Sequence, residues 1–130
     1  MQELPTSPYN DFLGIQMLNV GEGQAECCIK LREHHLNTGG RVHGGVLTSL
    51  ADSAAGFAVR SLRAEGKLTA TTDLSISFIR PPIGESLHAL ARVIHAGRQL
   101  FRVEIDIHSH EKLVAKSSAT FMLVEPFKSG

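Results

Sequence analysis

Two periods of hydrophobic and polar residues divide the chain. Val46, Leu50, Ala54 and Ala58, flanked by Leu47, Ala51 and Ala55, recur at three- and four-residue spacing, which is the period of a helix. The other positions of that run are mostly small, so the helix is apolar or small all round and should be buried on most sides. It is expected to reach about Arg63, with Gly66 as a C-cap. A short helical turn is expected at 9–13, with Pro8 near its start and Gly14 ending it. Residues 15–20 and 24–31 then read as strands joined by the glycine-bearing loop Gly21-Glu22-Gly23.

Beyond the helix the period becomes two. Strands are expected at 69–79, 86–96, 100–109 and 113–124. In the first of these, strict alternation puts Thr72, Leu74, Ile76 and Phe78 on one face and Thr71, Asp73, Ser75 and Ser77 on the other. In the third, Phe101, Val103, Ile105 and Ile107 form the apolar row. The sum is an α+β chain in which a long central helix is wrapped by an antiparallel sheet of about five to six strands. A length of 130 residues suits one domain, 1–130, with 1–8 and 126–130 as frayed ends.

Charge and composition exclude more than they assign. Thirteen basic residues balance thirteen acidic ones and are dispersed, so neither nucleic acid nor an anionic membrane is an expected partner. With no basic start, leader-like apolar run or membrane-length stretch, the expected location is cytoplasmic. Cys27 and Cys28 are adjacent and would point to opposite faces of a strand, which is no disulfide framework. Seven histidines lack the ligand spacing of a metal site, and none is expected.

Within the helical run Asp52 is the one ionisable group, too deep to act as an N-cap. A lone carboxylate in a buried helix is costly unless it is hydrogen-bonded or used. Gly44 and Gly45 strip side chains from the helix start, where backbone N–H groups and the positive end of the dipole can hold a developing oxyanion; a tight entry into a crowded helix explains them equally well. Eight residues separate Gly44 from Asp52, roughly 12 Å along the axis. Reacting groups must approach within roughly 3 to 3.5 Å. One helix therefore cannot serve one site with both residues, and a two-fold dimer with composite sites follows if both act together.

His35, Asn37, Gly40, His43-Gly44-Gly45-Val46, Leu50-Ala51-Asp52 and Ala54 at this spacing resemble the hotdog-fold acyl-CoA thioesterases, in particular the phenylacetate-degradation (PaaI-like) branch. The resemblance implies a hotdog fold and hydrolysis of an aryl- or medium-chain acyl-CoA, with no cofactor beyond the coenzyme A of the substrate. It implies that the Gly44 N–H polarises the carbonyl with help from Asn37, and that Asp52 of the other subunit acts as general base or nucleophile. Thr71 aligns with a hydroxyl residue beside the acid; alone, it reads as an ordinary β-branched strand residue. His43 either contacts the leaving sulfur or orients the turn through a backbone hydrogen bond. Coenzyme A is expected along 78–83, including Arg80 and Pro81, and at the turn 95–100, including Gly97 and Arg98; as loop cations, both arginines also read as merely solvated. Homodimers pairing into homotetramers are implied as well. Two other readings remain at this point, a hotdog hydratase or dehydratase and a non-catalytic acyl-CoA-binding module.

Overall fold

The computed structural model describes residues 4–63 and 67–125. Helix α1 (Pro8–Leu13) is followed by β1 (Gln16–Gly21) and β2 (Gln24–Lys30), a 3-10 turn at Glu33–His35, and the central helix α2 (Gly44–Arg60). Strands β3 (Leu68–Phe78), β4 (Ser86–Ala96), β5 (Leu100–Ser109) and β6 (Lys112–Val124) complete the chain. The six strands form one antiparallel sheet in the order β1-β2-β4-β5-β6-β3, open at both edges, and α2 packs against every strand of it. This is the hotdog architecture that the residue pattern and the resemblance led us to expect.

Helix α2 supplies the centre of the core. Nine of its seventeen residues are buried, among them Leu50, Phe57 and Val59, and they meet Ile29, Leu87, Val103 and Ile105 from the sheet. Full burial of such a side chain contributes about 1.5–3 kcal/mol, so this contact dominates the fold. Cys27 is enclosed in the same core, and burial, with Cys28 and Glu26 beside it, pushes its thiol up to about 12. The helix stops at Arg60 with Ser61 as C-cap, short of the expected Arg63; the expected cap at Gly66 lies outside the described residues.

Two further expectations meet a different arrangement. Instead of a frayed stretch through residue 8, Leu4 packs against the core and Ser7 caps α1 by accepting the Asn10 N–H. The tail from 126 lies outside the described residues. In β3, strict alternation fails at a β-bulge. Thr71 pairs with Phe121 and Leu74 with Ala119, and both partners face the core, so Thr71 shares the helix-facing side with Leu74. Thr72 and Asp73 together oppose Thr120, and the extra residue resets the parity.

Candidate active site

The approach to α2 is a loop closed by its own hydrogen bonds. The His43 N–H donates to the His35 carbonyl at 2.8 Å, and the Asn37 N–H to the Arg41 carbonyl at 2.7 Å. The Asn37 carboxamide oxygen accepts from the Gly39 and Arg41 N–H groups at 2.9 and 3.1 Å. That staple uses the oxygen of Asn37 and leaves its NH2 group as a donor. At the base of the loop His35 is buried; its Nδ1 accepts the Arg32 N–H at 2.9 Å, so its Nε2 carries the hydrogen that the Leu13 carbonyl accepts at 2.8 Å.

The helix start itself is left with one free donor. His43 is the N-cap, and its Nδ1 accepts the Gly45 N–H at 2.8 Å, so the turn-orienting role holds within this chain. Val46 donates to the His43 carbonyl at 2.9 Å, whereas the Gly44 N–H has no acceptor among the described residues. Close approach excludes a side chain at Gly45 and crowds one at Gly44. A Cβ on Gly45 would stand 2.9 Å from the His43 ring, and one on Gly44 would stand 3.2 Å from the Phe78 ring at the end of β3. A free N–H at a helix N-terminus, with no side chain over it, is a donor for a negatively charged oxygen.

Asp52 is half-buried on α2 and its Oδ1 accepts the Thr71 hydroxyl at 2.7 Å. Among the described residues it forms no ion pair, so the carboxylate is oriented by a neutral donor without being neutralised by a cation. Thr72 points elsewhere and donates to the Thr120 carbonyl at 3.1 Å. The bulge is what separates these two threonines, and it stands beside a candidate catalytic group, as bulges often do.

The sequence-derived residues therefore fall into two groups. Gly44, with His43 and Asn37 in the loop before it, lies at the Phe78 end of β3, where Arg80 and Pro81 follow and the Ile79 and Arg80 N–H groups share the Val114 carbonyl. Asp52 and Thr71 lie toward the other end of that strand. There the Leu123 N–H donates to the Gln99 carbonyl, Leu123 pairs with Thr69, and the Gly97–Arg98 turn is closed by the Gly97 N–H on the Leu100 carbonyl. Thr71 and Phe78 are seven residues apart, roughly 23 Å of strand. One protomer does not bring the two groups together.

Sequence reading missed a second feature. Asp52 forms part of the wall of a crevice of about 340 Å³ between α2 and the N-terminal segment, where Tyr9, Asn10 and Arg60 also face it. The signal was present in the helical spacing of Ser49, Asp52, Ser53, Gly56 and Arg60, the least apolar face of α2.

The profile of the Thioesterase superfamily matches residues 39–116, from the loop before α2 to the middle of β6. The acyl-coenzyme A thioesterase PaaI of Escherichia coli is 35% identical over 105 residues, covering 79% of this chain and 73% of that protein. The medium/long-chain acyl-CoA thioesterase YigI of the same organism is 26% identical over 132 residues, covering 89% of this chain and 85% of its own. Among solved structures, a conserved protein from Pseudomonas aeruginosa superposes with a TM-score of 0.88 at 34% identity, over 92% of this chain and 95% of that one.

Proposed function

The chain belongs to the thioesterase superfamily and is a thioester hydrolase of its PaaI-like branch; on that premise we propose that it hydrolyses an aryl- or medium-chain acyl-CoA at a site shared by two subunits. The observation that carries this reading is the Asp52 carboxylate, oriented by Thr71 at 2.7 Å and unpaired with any cation among the described residues. The matching oxyanion donor, the Gly44 N–H, free among the described residues, lies at the far end of the same half helix, roughly 12 Å away.

A two-fold axis resolves that separation. Strand β3 is an edge strand of eleven residues with no lysine or proline to blunt it, and its Leu74 and Ile76 side chains are only partly covered. If two β3 strands pair antiparallel about an axis near Leu74 and Ser75, Thr71 of one copy stands opposite Phe78 of the other. The Asp52 group of one subunit then meets the Gly44 group of its partner, twice per dimer. The same operation brings Arg80 and Pro81 of one subunit toward Gly97 and Arg98 of the other, as a surface for the phosphates of coenzyme A. Leu90 and Ile94, half-exposed on the outer face of β4, offer a second apolar surface for pairing dimers into a tetramer.

In this site the thioester carbonyl accepts from the Gly44 N–H and the Asn37 NH2 group. Asp52 removes a proton from water as it adds, or adds to the carbonyl itself to give an anhydride that water then opens. Either way a C–O bond forms and the C–S bond breaks. The oxyanion is held at the helix start, and the thiolate leaves beside His43, whose Nε2 carries the hydrogen because Nδ1 is occupied. No cofactor enters beyond the coenzyme A of the substrate. Unpaired cysteines and the lack, among the described residues, of a helix long and apolar enough to cross a membrane accord with a cytoplasmic place for this reaction. A hydratase would need a histidine paired with an acid; the Nδ1 of His43 is instead spent on Gly45.

Thiol release from a panel of acyl- and aryl-CoA esters tests the reading. Asp52→Ala and Asp52→Asn are expected to lower kcat by about 10²–10⁴ with assembly unchanged. Turnover undiminished in both would remove Asp52 as the catalytic acid–base group. Absence of thiol release from every ester would overturn the proposed substrate class.

A further inference from the structure

The crevice beside Asp52 says which acyl groups the site takes. The N-terminal segment lies along the least apolar face of α2 and is tied to it by three side chains. Tyr9 and Ser49 share a hydroxyl hydrogen bond of 2.7 Å, Ser53 donates to the Asn10 carboxamide oxygen at 2.9 Å, and Arg60 donates to the Pro5 carbonyl at 3.4 Å. Between these contacts the crevice, of about 340 Å³, opens directly onto Asp52. With the carbonyl held between Asp52 and the helix start of the partner, the acyl group has this space to enter.

Its lining suits an oxygenated group and not a plain hydrocarbon. An alkyl chain would take water from hydroxyls and a guanidinium without returning hydrogen bonds, and each such loss is costly. Arg60 is the most informative member. Its guanidinium sits 4.9 Å over the Phe57 ring, makes one long bond to a backbone carbonyl, and forms no ion pair among the described residues. Burial, and Arg63 beside it, lower its hold on the proton, a cost that a carboxylate in the crevice would offset.

The span also fits. Arg60 follows Asp52 by eight residues, but helical side chains lean toward the N-terminus, and the stacking on Phe57 places the guanidinium about one turn back. That leaves roughly 6 Å along the axis, to which the rotation of about 80° between the two positions adds a lateral offset, a span that an extended dicarboxylic chain can cross. We propose that this crevice binds the acyl group and that Arg60 recognises a carboxylate at its far end, making the preferred substrates coenzyme A monothioesters of dicarboxylic acids. The proposal rests on the thioesterase reading and narrows its substrate.

The test compares kcat/KM for glutaryl- and adipyl-CoA with pentanoyl- and hexanoyl-CoA, in the native chain and in Arg60→Gln and Arg60→Lys. The native chain is expected to favour the dicarboxylic esters about tenfold or more. Arg60→Gln should erase most of that ratio through KM, and Arg60→Lys, which keeps the charge but loses the fork, should fall between. Equal turnover of both ester classes by the native chain, or a ratio unchanged in both variants, would overturn the proposal. Should no ester be hydrolysed, the thioesterase reading fails by itself, and calorimetric binding of adipyl-CoA against hexanoyl-CoA to the native chain decides the crevice: tighter adipyl-CoA supports it, equal affinity refutes it.

Discussion

The two ends of the candidate site are built by opposite means. At the Gly44 end the chain makes its donor from backbone: an asparagine staples a loop, a histidine caps the helix, and two glycines clear the space, all within nine residues of sequence. At the Asp52 end the chemistry rests on side chains brought together by the fold, a helix carboxylate and a strand hydroxyl nineteen residues apart, aligned only because β3 carries a bulge. The first end is local and stiff. The second depends on tertiary packing, so a substitution there acts through geometry that the neighbouring sequence does not determine.

After Asp52 itself, that contrast is broken most severely at Gly44. In Gly44→Ala the new methyl meets the Phe78 ring at 3.2 Å and crowds the oxyanion position. Steady-state kinetics should show kcat reduced by about 10²-fold or more, while thermal melts show stability unchanged or raised by up to about 1 kcal/mol, because alanine favours the helix. Next in size is Asn37→Asp, which keeps oxygens for the Gly39 and Arg41 N–H groups but removes the NH2 donor. It should leave the melting temperature near that of the native chain and lower kcat by about tenfold to hundredfold. The smallest effect belongs to the Thr71 hydroxyl: Thr71→Val should cost about tenfold in kcat and about 0.5–1.5 kcal/mol of stability, and Thr71→Ser should restore most of both.

The same contrast explains what could be read from the sequence. Strand positions and the central helix followed from periodicity, because burial on one face imposes it. The loop from His35 to Gly45 was legible as a spaced motif, since its hydrogen bonds, apart from the one from His35 to the Leu13 carbonyl, join residues close in sequence. Thr71 was different. Alternation sent it to the wet face, and only the resemblance linked it to Asp52; the bulge that turns it inward leaves no mark in the pattern of residue types. The crevice was missed because its second wall, the segment ending in Tyr9 and Asn10, lies about forty residues from its first, and its part up to residue 8 had been read as a frayed end. Helix α2 ends at Arg60 although helix-compatible residues continue, because Ser61 turns its hydroxyl back to the Ala58 carbonyl and also accepts the Gly23 N–H.

The central claim is that each site joins the Asp52 group of one subunit to the Gly44 group of another. Subunit complementation tests it most directly. Asp52→Asn and Gly44→Ala chains, each nearly inactive alone, are co-expressed with different tags and assayed for thiol release. If sites are shared across a two-fold, a mixed dimer holds one doubly defective site and one intact site, and an equal random mixture recovers about a quarter of native activity. Activity no greater than the sum of the two variants, with mixed dimers present, would place the whole site within one chain and contradict the account.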